Sequence, residues 1–147
     1  MKVETTRFGT IQIADEKIIF MPQGVLGFPQ AKRFCILQHK PGSPFFWLQA
    51  VDDPALAFVM TNPWLFKPDY EVDVKPAGLA MGWHDDETEV PVECYVIVTI
   101  PKGAPDKMTA NLMGPVLINP KTREAVQIVL SNESYPHNYP LAKNKAA

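Results

Sequence analysis

Apolar and polar residues alternate along this chain in short runs, and turn residues interrupt the runs every eight to twelve positions. Such alternation marks strands with one wet face. Thr10-Ile11-Gln12-Ile13 is the first, and after the turn at Asp15-Glu16 the run Lys17 to Met21 reads as its hairpin partner. Arg33 to Gln38, Phe45 to Val51 and Ala55 to Met60 are three more strands, with turns at Pro41-Gly42 and Asp52-Asp53-Pro54. Glu93 to Ile100 places Cys94, Val96, Val98 and Ile100 on one face and Tyr95 and Ile97 on the other, the pattern of a central strand covered on both sides. Val116 to Ile118 and Ala125 to Leu130 form a last hairpin around residues 119–123.

A sustained 3.6-residue apolar period is missing, and only Pro29 to Lys32 and Pro76 to Met81 offer short helical turns. Proline is abundant, 15 of 147 residues, about twice its average share of ~5 %. Prolines break helices and avoid central ladder positions, so their spread favours short strands joined by stiff turns. The expected fold is all-β and mainly antiparallel, a small single-domain β-barrel-like structure with few short helical turns. Residues 1–130 form the barrel-like domain. From Ser131 the chain turns polar and loses periodicity, so residues 131–147 are expected to be a loosely held C-terminal tail.

The formal net charge is -2, and the 14 basic residues are scattered singly. Nucleic-acid affinity depends on clustered cations that release counterions, so direct nucleic-acid binding is not expected. The first residues lack the apolar core of a signal peptide, and no apolar run approaches the ~20 residues that span a bilayer. A soluble cytoplasmic protein is expected, with no membrane partner.

Catalytic chemistry finds little support. His84-Asp85-Asp86-Glu87 gathers four possible metal ligands, yet consecutive extended residues point to opposite sides, and a solvated acidic hairpin loop fits them better. His39, His84 and His137 follow no nucleophile signature, and G-x-S-x-G does not occur. Cys35 and Cys94 lie inside apolar segments, as reduced core residues do. Asp52-Asp53 is first a turn former. Gly24 and Gly27 make no phosphate loop. The expectation is no enzyme, no cofactor, no metal and no small-molecule substrate. A small ligand-binding β-barrel or an enzyme of unknown substrate is the alternative.

Two stretches suit recognition. Residues 62–73 join Trp64, Phe66 and Tyr70 with prolines and the acids Asp69, Glu71 and Asp73. Aromatic anchors on stiff turns are common at interfaces, although Trp64 and Phe66 also suit a cap on a barrel end. Glu71 and Asp73 are expected to alternate onto the solvent side of a strand. In Met108 to Asn119, Thr109 and Asn111 can tie down backbone at a strand entry or, for Asn111, contact a partner directly.

Spaced motifs then point one way. Phe8-Gly9, Phe20, Gly24-Val25-Leu26-Gly27-Phe28 and Arg33-Phe34 come first. Pro44 to Gln49, Asp52, Pro54, Phe58, Asn62-Pro63 and Asp69-Tyr70 follow. Val98 to Pro101, Thr109 to Leu112, Pro115, Ile118-Asn119, Gln127 and Tyr135 complete the series. In this order and across nearly the whole chain, the motifs resemble the FliW family of flagellar assembly factors. The resemblance implies a cytoplasmic, non-catalytic β-barrel-like protein with two partners. It would bind CsrA, an RNA-binding translational regulator, and antagonise it away from the RNA site. It would also bind flagellin in exchange for CsrA, so that flagellin synthesis follows secretion. The candidate contacts are Asp69, Glu71 and Asp73 as an acidic field with Phe66 and Tyr70 as anchors. Asn111 and the tail residues Tyr135 and Leu141 are further candidates.

Overall fold

Chain order and side-chain alternation dictate which strands meet. The computed structural model describes residues 1–38, 40–83, 92–132 and 134–141. His39 and the acidic hairpin loop expected at His84 to Glu87 lie outside the described residues.

β1 (Lys2–Thr5) and β2 (Gly9–Gln12) form an antiparallel hairpin of their own, with Val3 opposite Ile11. This corrects the pairing of Thr10–Ile13 with Lys17–Met21. Val3 and Thr5 turn inward and are buried, so the polar-looking Lys2–Thr5 supplies the inner face that β2 needs. A 3-10 turn at Asp15–Lys17 then redirects the chain into β3 (Ile19–Phe20).

β3 pairs antiparallel with β4 (Arg33–Gln38), β4 with β5 (Phe45–Ala50), and β5 with β6 (Ala57–Thr61). β6 pairs with β7 (Glu93–Thr99). The other edge of β7 is shared: residues 93–95 meet β9 (Val116–Asn119), and residues 98–99 meet β8 (Thr109–Ala110). β9 turns back into β10 (Glu124–Gln127), which pairs parallel with β3 and closes a seven-stranded barrel. β7 is therefore central, as its two apolar faces predict. Ile100 lies beyond the strand and is exposed, contrary to its expected place on the covered face with Cys94, Val96 and Val98.

The main core holds Ile19, Met21, Phe34, Leu48, Met60, Val116 and Ile118. Each such side chain is worth about 1.5–3 kcal/mol on burial. A second cluster joins Tyr70, Val96, Val98, Leu112, Tyr135 and Leu141. Gln49 is fully buried, and its amide nitrogen lies 3.0 Å from the Ala50 carbonyl and 3.2 Å from those of Pro54 and Leu56. It organises the Asp52-Asp53-Pro54 turn from inside.

Of three further expectations, two change and one holds. Pro29 to Lys32 forms no helix, whereas α1 (Lys75–Met81) is a real helix that ends on Gly82 at φ 71°. The C-terminal segment is not loose over residues 134–141: Tyr135 and Leu141 are buried, and β11 (Tyr139–Pro140) pairs with β8. Backbone bonds from Leu112 to the Pro136 carbonyl (3.0 Å) and from Leu141 to the Met108 carbonyl (3.1 Å) stitch it down.

Candidate partner-binding surface

The segment after β6 is shaped by its own residues. The Asn62 side chain accepts from the Trp64 amide (2.9 Å), and Pro63 opens a 3-10 turn over Pro63–Leu65. The turn leaves Leu65 61 % and Trp64 39 % exposed. The Trp64 indole still donates to the Tyr70 carbonyl at 2.7 Å, so an exposed ring is fixed in place. Phe66 is half-buried and stacks on Phe45 with centroids 6.3 Å apart. Lys67 pairs with Asp69 at 3.0 Å, and that ammonium holds the exposed Asp69 carboxyl below the usual range.

Tyr70 points inward and is buried. Its hydroxyl donates to the Leu112 carbonyl at 2.6 Å, and its ring meets Tyr135 edge-on at 4.7 Å. Burial raises its pKa above that of an ordinary phenol. The Tyr135 hydroxyl accepts from the Glu71 amide at 2.9 Å. Residues 71–74 make no ladder, so the strand expected there is absent. The outward alternation persists nonetheless: Val72 packs inward, while Glu71 and Asp73 are exposed. Neither carboxylate is in an ion pair among the described residues.

The structure thus gathers Phe66, Tyr70, Tyr135 and Leu141 into one cluster. Tyr70, Tyr135 and Leu141 present almost no surface and act as its supports, whereas Asp69, Glu71 and Asp73 face solvent. Asn111 sits beside Leu112, and its side-chain oxygen accepts from the amides of Met113 (3.1 Å) and Gly114 (3.0 Å). Gln127 bridges the same turn to a distant loop: it donates to the Gly114 carbonyl (2.9 Å) and accepts from the Leu26 amide (2.8 Å). Asn111 therefore ties down backbone, one of the two roles its sequence context allows.

Nucleophilic chemistry has poor footing among these groups. Cys35 is buried with a raised thiol pKa, and burial pushes the Cys94 thiol up to about 12. Asp52 is engaged by the Arg33 guanidinium at 2.5 Å. No group of three or more His, Cys, Asp or Glu among the described residues could hold a metal ion. No helix among them is long and apolar enough to cross a membrane.

The sequence reading overlooked two features. Leu65, exposed next to the expected anchor Trp64, is the first, a consequence of the Asn62-Pro63 turn start. Charge is also unevenly distributed along the chain. Asp69, Glu71, Asp73, Asp85, Asp86, Glu87, Glu89 and Glu93 are half of the 16 acids, while Lys75 is the one base of 14 in the same span.

Comparison with known proteins places this architecture. The model of a family described as FliW protein matches residues 2–141. The flagellar assembly factor FliW of Magnetococcus marinus is 39 % identical over 137 residues, covering 91 % of this chain and 82 % of that protein. Its counterpart in Syntrophus aciditrophicus is 38 % identical over 145 residues, covering 99 % and 90 %. A crystal structure of the flagellar assembly factor FliW matches with a TM-score of 0.84 and 35 % identity, over 96 % of each chain. Sequence and fold agree, and the chain belongs to the FliW family of flagellar assembly factors.

Proposed function

We propose that the protein is a non-catalytic, cytoplasmic flagellar assembly factor that works by binding other proteins. It binds the translational regulator CsrA and blocks its use of RNA from outside the RNA site. It also binds flagellin, which displaces CsrA. Unsecreted flagellin therefore frees CsrA to repress flagellin translation, and secretion reverses the switch.

The observation that carries this reading is the pair Glu71 and Asp73, exposed and outside any ion pair among the described residues, beside the fixed Trp64 ring. Asp69 is close in sequence but shares its charge with Lys67. Carboxylates held next to a bound RNA-binding protein repel phosphates, and salt weakens that repulsion. An antagonist built this way needs no basic patch of its own.

The test is to mix the purified protein with CsrA and with flagellin, separately and together, and to follow complexes by size-exclusion chromatography. Co-elution with each partner, and loss of CsrA from the complex when flagellin is added, is the expected result. Absence of both complexes would end this reading.

A further inference from the structure

A cleft of about 530 Å³ opens where β3, β4, β7 and β9 meet beneath the loop after β2. Its volume lies within the usual range of ligand sites. Its floor is the main core itself: Ile19 and Ile118 are buried there, and Ile36 packs against them. Its rim is charged, with Glu16, Lys17, Glu93 and Arg123. Lys17 and Arg123 are in no ion pair among the described residues, while Glu93 accepts from the Tyr95 hydroxyl at 2.8 Å.

Arg123 is the second observation. It is the one described non-glycine residue at positive φ, 62°. Side chains seldom tolerate that region, and glycine would sit there without strain. The backbone is fixed by bonds to Asn119 and from Phe20, both 2.8 Å, and Nη1 donates to the Asp15 carbonyl at 3.1 Å. Those contacts carry an arginine onto the rim of an apolar cleft at a position where the turn favours glycine. Strained side chains concentrate where recognition requires them. Beside the cleft, β2 is paired on its β1 side alone among the described residues, so its outer edge can accept an extended backbone.

We propose that this cleft holds a short extended segment of a protein partner, with an aliphatic side chain seated on Ile19, Ile36 and Ile118. Charge complementarity sets its flanks. A carboxylate next to that side chain meets Arg123 and Lys17, and a basic residue on the other side faces Glu93 and Glu16. The partner need be neither CsrA nor flagellin.

The probe is the peptide acetyl-Gly-Lys-Leu-Glu-Gly-amide, titrated into the isolated protein while isoleucine methyl signals are followed by NMR. Saturable shifts at Ile19, Ile36 and Ile118 are expected. Replacing the peptide's Glu by Gln should weaken binding roughly tenfold, the scale of a lost charge-assisted hydrogen bond. Arg123→Gly, which suits the turn and keeps the fold, should weaken it similarly, as should Lys17→Gln to a lesser degree. Methyls that do not move, or equal affinity for the Gln peptide or in the Arg123→Gly protein, would overturn the proposal. So would octanoate binding as tightly as the peptide, which would make this a small-molecule site. CsrA and flagellin are absent from the experiment, so its failure leaves the proposed partner switch untouched.

Discussion

The Tyr70 hydroxyl reaches the Leu112 carbonyl at 2.6 Å, joining segments 42 residues apart inside a buried cluster. Because Tyr135 packs on the same ring and accepts from the Glu71 amide, one aromatic pair fixes the acidic segment to the Thr109–Leu112 motif. Tyr70→Phe keeps the ring and strands the carbonyl. It should cost about 1–3 kcal/mol, at roughly 2–4 °C of melting temperature per kcal/mol for a chain of this size. Thermal unfolding followed by circular dichroism reads the shift, and an unchanged melting temperature would mean that the hydroxyl carries no buried bond.

Gly24 and Gly103 give a matched pair. Both have positive φ, 66° and 78°. A Cβ on Gly24 would lie 2.5 Å from the Phe28 carbonyl oxygen and 2.8 Å from Pro29 Cα, whereas nothing lies within 4 Å at Gly103. Gly103→Ala should therefore cost only the backbone term, about 1–2 kcal/mol. Gly24→Ala adds a clash with backbone that cannot rotate away, and it should cost clearly more. Urea unfolding midpoints of the two variants decide this; equal losses would contradict the tight turn that presents Leu26.

Legibility followed the range of the interactions. Arg33–Gln38, Phe45–Ala50 and the hairpin of β9 and β10 are visible because alternation and turn residues are local signals. Lys2–Thr5 was missed because two inward residues in a polar stretch make no pattern, and its pairing depends on burial under tertiary structure. Tyr70 reads as an anchor by composition, yet its hydroxyl finds a partner 42 residues away, and Glu71 finds Tyr135 at a separation of 64. Tyr135 and Leu141 sit in a tail whose polarity hides two core positions. Glu71 and Asp73 were readable as exposed because Val72 between them is apolar, although no strand supports that alternation.

Alkaline pH should loosen the fold. Burial pushes the Cys94 thiol up to about 12, and burial with the Glu93 hydrogen bond pushes the Tyr95 hydroxyl up to about 12. Their ordinary values are 9.0 and 10.0. Between those values and the folded ones, the unfolded chain has lost protons that the folded chain keeps. Stability is therefore full below about pH 9 and declines as pH rises toward 12. Urea midpoints should fall across that window, and Cys94→Ala should flatten its first part. A midpoint independent of pH there would contradict the burial of both groups.

The same burial makes the thiols slow. Cys35 is fully buried and the Cys94 thiolate is scarce at neutral pH, so neither should react readily with a disulfide reagent until the protein is unfolded. Prompt labelling of the folded protein at pH 7.5 would show that one of them is accessible.

The central proposal, that an acidic segment lets this protein silence an RNA-binding partner it holds, is tested most directly by the affinity of CsrA for flagellin-message RNA. That affinity is measured by gel shift at rising salt, without the protein, with it, and with Glu71→Lys/Asp73→Lys. The protein should reduce RNA binding by CsrA, excess RNA should not restore it, and the effect should shrink as salt rises. The double charge reversal should blunt it while leaving the fold intact. An unchanged RNA affinity with the protein bound to CsrA, or full inhibition by the reversed variant, would contradict the role assigned to Glu71 and Asp73.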